Sequence, residues 1–229
     1  MLQTDTSRVD TSHINNTSSI SVAGLILSGG QGSRMGGVEK GLVDFQGKPM
    51  VGYAHAVLAP LCSPLLLSAN RQIDDYIALT SGEIDIVQDI PEFQDKGPLS
   101  GILAGLERIQ EPIKEHRLEN IDAQCSHLLI SPCDTPLVPS ELFQALISKA
   151  HASPNTAFYI QSDSGAHPLH AIIPTSIKGE KTLTLLRRFL QNHAPKVMSF
   201  YQLINAQSIV WPNESELSNI NHSSQLSTS

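Results

Sequence analysis

The residues best equipped for chemistry lie in one short stretch, Leu27-Ser28-Gly29-Gly30-Gln31-Gly32-Ser33-Arg34-Met35-Gly36-Gly37, followed closely by Lys40. Glycines let a backbone turn with positive φ and approach a ligand closely, so that successive N–H groups line up toward phosphate oxygens. Arg34 and Lys40 add the positive charge that a triphosphate needs. Mere flexibility would account for neither cation. The P-loop pattern GxxxxGK[ST] fails, because no Lys-Ser or Lys-Thr follows a suitably placed glycine. The dinucleotide pattern nearly fits through Gly30-x-Gly32, but Met35 stands where its third glycine belongs, and the two cations suit a triphosphate better than a buried pyrophosphate.

A second constellation is Ser131-Pro132-Cys133-Asp134-Thr135-Pro136, at the end of an apolar run. In open α/β sheets ligands lie outside the carboxyl ends of the strands. A lone carboxylate there suits Mg2+, which takes few protein carboxylates and completes its shell with water and substrate phosphates. The competing reading of Asp134 is a turn former bonded to its own backbone.

These residues need a frame. Val22 to Leu27 is short, apolar and closed by glycines, as befits a strand buried on both faces. Leu65-Leu66-Leu67, Ile84 to Val87 and His127 to Ile130 read as further strands. Met50, Ala54, Val57 and Leu61, and again Ile102, Leu103, Leu106 and Ile109, have helical spacing, with Pro49 and Pro98 near the helix starts. Residues 111–124 read as a polar surface excursion. Past Pro139 the pattern predicts a helix through Leu142, Leu146 and Ile147, a hairpin from Ala157–Ile160 to Leu169–Ile173, and a helix over about residues 182–191. Alternating strands and helices make the fold class α/β, Rossmann-like, with a doubly wound, mostly parallel sheet. One such domain over 22–222 is expected, between polar tails at 1–21 and 223–229.

The chain has 229 residues and a formal net charge of -7, which argues against a nucleic-acid footprint but leaves room for a small anion in a local cationic loop. No apolar run reaches the roughly 20 residues needed to span a bilayer, and the polar N-terminus lacks a signal-peptide core. Three cysteines without a CxxC pair fit a reducing, cytoplasmic setting and buried thiols.

Taken together, the glycine loop with Arg34, Lys40-Gly41-Leu42, Gly97-Pro98-Leu99-Ser100-Gly101 and Pro132-Cys133-Asp134-Thr135-Pro136 resemble the molybdenum cofactor guanylyltransferase family. The glycine loop and lysine are shared with nucleotidyltransferases that activate sugars and alcohols; Met35-Gly36-Gly37-x-x-Lys40 and the PCDTP stretch narrow the match to the guanylyl branch. The resemblance implies a nucleotidyltransferase fold with a GTP-binding half at 22–139 and a cofactor- or partner-binding half at 140–222. It implies transfer of GMP from GTP to molybdenum-molybdopterin with Mg2+, and carrier or target molybdoenzyme proteins as partners. Carried over by position, Leu27, Ser28, Gly29, Gly30 and Gly32 would form the nucleotide-binding backbone. Lys40 would bind phosphate, assisted in catalysis by Arg34. Asp89 would contact the nucleotide, and Asp134 would contact GTP and ligate the metal. Asn219 and Asn221 resemble a late asparagine pair that returns to the site. Ser68 stands where the family often has asparagine, so Ser68 or Asn70 would have to serve there. His167-Pro168 falls in the region expected to face the pterin, and Arg187, Arg188 and Lys196 read as solvated helix charges that could also meet an acidic cofactor. Rival readings are a sugar-phosphate or alditol nucleotidyltransferase, and a non-catalytic, nucleotide-dependent escort of the cofactor.

Overall fold

The computed structural model describes residues 20–28, 39–80, 82–94, 96–110 and 125–220. Gly29, Gly30, Gly32, Arg34 and Asn221, and the surface excursion expected at 111–124, lie outside the described residues. The chain starts with strand β1 (Val22–Leu27) and, from Lys40, continues through a 3-10 turn into a short ribbon, β2 (Asp44–Phe45) and β3 (Lys48–Pro49). Helix α1 (Met50–Leu58) starts directly after Pro49, whose φ of -56° already matches a helical turn. There follow β4 (Leu65–Ser68), α2 (Ile73–Leu79), β5 (Asp85–Val87), α3 (Pro98–Gln110), β6 (His127–Pro132) and α4 (Ser140–Ala152). The remainder comprises β7 (Phe158–Ser162), β8 (Gly165–Pro174), a second ribbon of β9 (Ser176–Ile177) and β10 (Glu180–Lys181), α5 (Thr182–Asn192), α6 (Val197–Leu203) and β11 (Gln207–Val210).

Seven strands form one sheet in the order β11-β7-β8-β6-β1-β4-β5. β1 pairs in parallel with both β4 and β6, β4 with β5 and β11 with β7, while β8 runs antiparallel to both its neighbours. The sheet is the expected mostly parallel α/β sheet. From β1 the chain moves outward to β4 and β5, then crosses to β6 on the other side. The β1/β6 boundary is therefore the point where the winding reverses and a crevice opens at the carboxyl ends.

Side-chain alternation splits the core in two. Ala23, Leu25 and Leu27 of β1 pack with Leu128 and Ile130 of β6 under α3, α5 and α6. Val22 and Ile26 pack with Leu65, Leu67 and Leu129 on the opposite face, under α1, α2 and α4. Both faces of β1 are thus covered, which is why its sequence is a continuous apolar run. Each fully buried leucine of these layers contributes about 1.5–3 kcal/mol of transfer free energy.

Several elements lack a strong sequence signal. α2 and α6 are seven residues each, too short to display a helical period. β11 sits at the sheet edge with mostly exposed residues, so nothing forces an apolar alternation on it. β8 begins at Gly165 rather than near Leu169, because Ala166 and His167 continue the pairing with β7 across an irregularity at Tyr159/Ile160. The family-derived boundary at 139/140 falls inside a sheet that takes strands from both sides of it.

Gly24, in the middle of β1, shows how tightly the central strand is packed. A Cβ added there would come within 2.3 Å of Cys62 Sγ and 2.6 Å of Leu65 Cδ1. We expect Gly24→Ala to cost about 1–3 kcal/mol through overpacking, read by calorimetry as a drop of the melting midpoint by several degrees. An unchanged midpoint would mean that Cys62 and Leu65 yield freely.

Candidate active site

Parallel pairing brings four strand ends to one edge. Leu27 lies opposite both Ser68 and Pro132, and Ser68 lies opposite Val87. Ser28, Asn70, Asp89 and Asp134 therefore all emerge from the carboxyl side of the sheet. Leu27 is buried, and its carbonyl accepts the Cys133 N–H at 3.0 Å. Ser28 donates its N–H to the Ser68 carbonyl at 3.0 Å, and its hydroxyl lies 2.6 Å from that of Tyr76. The start of the glycine loop is thus anchored on both neighbouring strands and on α2.

The far end of that loop returns to the same place. Lys40 Nζ donates to Asp134 Oδ2 at 3.0 Å, with the lysine side chain 33% exposed and the aspartate 15%. Two oppositely charged residues 94 positions apart thus share one partly desolvated ion pair at the switch point. Glu39, buried to 3%, accepts from Arg71 Nε at 2.6 Å. This second pair ties the returning loop to the segment after β4. Arg71 is half exposed, so it is chiefly the Glu39 carboxylate that would be left buried and uncompensated if Arg71 were removed.

At the neighbouring strand end, the side-chain carbonyl of Asn70 accepts the Asp89 backbone N–H at 2.8 Å. Asn70 is exposed and Asp89 half-buried. Ser68 is only 3% exposed, and its hydroxyl faces Gly101 of α3, where an added Cβ would come within 2.4 Å of it. Glycine at 101 lets α3 lie close behind the strand ends. From the other side, Ile220 donates its N–H to the Asp134 carbonyl at 2.8 Å, placing the exposed Asn219 beside the same turn.

Polar residues of the second half approach this turn as well. Thr135 Oγ1 lies 3.0 Å from His170 Nε2, and both residues are buried. His167 Nε2 lies 2.8 Å from the Ser162 hydroxyl, while the Ser164 hydroxyl donates to Glu214. Hydrogen bonds from Ser162 and Ser164 hold the Glu214 carboxyl below the usual range. Arg187 instead bridges α5 to α3 through Glu107, and Arg188 pairs with Glu180. Lys196 is exposed just before α6. Cys125 and Cys133 are buried and Cys62 half-buried, all as free thiols. Burial first, and then the Asp134 charge, push the Cys133 thiol up to about 12, so it is no nucleophile at neutral pH. Burial likewise raises the Tyr76 phenol, partly opposed by its bond to Ser28.

Local sequence assigns no role of their own to Glu39, Arg71, Tyr76, Thr135 and His170. Glu39 and Thr135 had a signal in standing next to Lys40 and Asp134. Tyr76 and His170 become visible only when the fold buries them.

A family model described as the MobA-like NTP transferase domain matches residues 24–203. The chain belongs to this MobA-like NTP transferase family. It is 33% identical over 209 residues to the molybdenum cofactor guanylyltransferase of Ralstonia nicotianae, covering 90% of this chain and 94% of that one. It is 37% identical over 152 residues to that of Pseudomonas syringae pv. syringae, covering 66% and 67%. Among solved structures, molybdopterin-guanine dinucleotide biosynthesis protein A from Archaeoglobus fulgidus shares the fold with a TM-score of 0.65 at 18% identity, over 89% of this chain and 94% of that one. The 4-diphosphocytidyl-2C-methyl-D-erythritol synthase from Anaerococcus prevotii does so with a TM-score of 0.64 at 12% identity, over 91% and 93%. Nucleotidyl transfer is therefore the general type of activity of this chain.

Burial, with a smaller contribution from His167, lowers the His170 imidazole to about 3 from an ordinary 6.5. Between those values the unfolded chain binds a proton that the fold refuses, so this residue's contribution to stability is full above pH 6.5 and declines as pH falls toward 3. His170→Gln should therefore lose less stability than wild type in urea melts compared at about pH 7 and about pH 5. Equal losses in the two proteins would contradict a neutral, buried His170.

Proposed function

We propose that this chain transfers GMP from GTP to molybdenum-molybdopterin and releases pyrophosphate. The observation that carries the reading is the Lys40–Asp134 pair at the β1/β6 crevice, in a chain similar to a molybdenum cofactor guanylyltransferase over 94% of that protein's length. The start and the return of the glycine loop flank that pair, so a triphosphate wrapped by residues 29–37 would have its charge met there.

In the reaction, an oxygen of the molybdopterin phosphate attacks the α-phosphorus of GTP in line. The bond between the α-phosphorus and the α–β bridging oxygen breaks, and that oxygen leaves with pyrophosphate. A phosphate nucleophile is already ionised near neutral pH, so the chain needs to supply no strong base. Its residues position the reactants and neutralise the charge that builds on the leaving oxygens. Lys40 exchanges its aspartate partner for a phosphate oxygen, and Arg34 and the loop amides act beside it. Asn70, Asp89 and the backbone near Leu27 and Ser28 border the nucleotide. Of the two candidates at the end of β4, the exposed Asn70 is better placed to reach a ligand than the buried Ser68.

Among the described residues no group of three His, Cys, Asp or Glu could hold a metal ion. A single, partly exposed carboxylate nevertheless fits Mg2+, a hard cation that takes one or two carboxylates plus phosphates and water. Asp134 would hold it, and the ion would supply charge neutralisation between phosphates. We place the reaction in the cytoplasm, in line with the free thiols; among the described residues no helix is long and apolar enough to cross a membrane. Proteins that carry molybdopterin or receive the finished cofactor are the partners this reading entails.

Incubation with GTP, Mg2+ and molybdenum-molybdopterin should release pyrophosphate and yield a pterin product from which GMP can be recovered. Asp134→Ala should lower turnover by on the order of 100-fold or more, and Lys40→Ala should weaken both nucleotide binding and rate. Near-normal turnover of Asp134→Ala at ordinary Mg2+ would defeat the metal assignment. Binding of GTP without any pyrophosphate would favour an escort protein, and a thermal shift with CTP or UTP in place of GTP would favour another nucleotidyltransferase.

A further inference from the structure

His170 occupies an inward position of β8 that an aliphatic residue such as Ile172, two residues further on, would fill without polar atoms. It is 2% exposed. Its ring lies 6.2 Å from that of Phe143 and 6.3 Å from that of His167. Its Nδ1 is buried and has no hydrogen-bond partner among the described residues, an arrangement that costs free energy. Its one hydrogen bond, between Nε2 and Thr135 Oγ1 at 3.0 Å, reaches the residue directly after Asp134. The Asp134 backbone is held a second time, by the Ile220 N–H on its carbonyl, while Lys40 meets the carboxylate itself.

We infer that His170 is a positioning residue, which acts through the Thr135 hydroxyl to fix the turn from which Asp134 projects toward the nucleotide phosphates and their metal ion. This inference rests on the role given to Asp134 above. Three links constrain one residue: a strand on one side, the returning C-terminal segment on another, and the loop lysine in front. Without the imidazole the turn keeps its backbone path but loses its anchor on β8. Supporting hydrogen bonds of this kind around a metal ligand are typically worth roughly 10–100-fold in metal affinity.

The two ring nitrogens allow a clean test. A glutamine amide reaches about as far as Nε2, whereas an asparagine amide ends near Nδ1. The full-length chain is compared as wild type, His170→Gln, His170→Asn and Thr135→Val. The readouts are Mn2+ affinity of the GTP-bound protein by electron paramagnetic resonance, the Mg2+ concentration giving half-maximal turnover, and the melting midpoint. We expect His170→Asn and Thr135→Val to weaken Mn2+ binding roughly tenfold and to raise the Mg2+ requirement in parallel, with turnover recovering at high Mg2+. His170→Gln should stay near wild type in both. Equal Mn2+ affinity in all four proteins, or equal losses in His170→Gln and His170→Asn that follow the melting midpoint, would overturn the inference. Absence of GMP transfer by wild type would sink the proposed reaction alone, because the Mn2+ comparison among the four proteins still reads the positioning role.

Discussion

The parallel pairing of β1 with β6 is the constraint from which the rest of the site follows. Leu27 opposite Pro132 sets the residues after both strands side by side at the carboxyl edge. From there the start of the glycine loop and the aspartate turn leave the sheet together. A slip of one residue would send alternate side chains to the wrong face of a sheet whose two faces are both buried, so the core itself enforces the register. The Cys133 N–H on the Leu27 carbonyl extends that pairing one step past the strands. The Lys40–Asp134 contact forms where the returning chain meets that turn.

Charge is concentrated where that constraint places it. The chain as a whole is acidic, with 22 Asp and Glu against 15 Lys and Arg, yet two cation–carboxylate pairs, Lys40–Asp134 and Arg71–Glu39, stand at the crevice. The Arg71–Glu39 pair has its carboxylate almost wholly buried and acts as a brace for the loop's return. The Lys40–Asp134 pair keeps both partners partly in water, so its Coulomb attraction is moderated, and in the proposed reaction its members would exchange one another for phosphate and metal. Burial therefore separates the two pairs: one carboxylate is almost wholly enclosed, and the other pair stays open to solvent.

The legibility of the sequence follows the same division. β1 and β6 were readable because burial on both faces demands continuous apolar runs. α3, α4 and α5 were readable because each spans three turns or so against the sheet. α2, α6 and β11 were not, being short or at an edge, where packing against neighbours decides the conformation and no internal period records it. Within the site, Lys40 and Asp134 stood out through the company of glycines and prolines with which they occur. Tyr76 and His170 carry no such neighbours. Their roles arise from tertiary burial of polar groups, a property of the assembled fold that no local window contains.

The second half of the chain adds little to the crevice by way of charge but much by way of restraint. Among the described residues β8 alone runs against both its neighbours, and by lying beside β6 it puts His170 within reach of Thr135. The chain then passes through α5, α6 and β11 before residues 211–220 return; Glu214 fastens that return to Ser164, and Trp211 donates to Glu216 within it. Its last described step is the bond from Ile220 to Asp134. A single aspartate is thus held by segments that begin more than a hundred residues apart around one sheet, and displacing any of them must work against the packing on its faces. If the chain transfers GMP as proposed, by orientation rather than covalent chemistry, rigidity of this origin would carry the transition-state stabilisation.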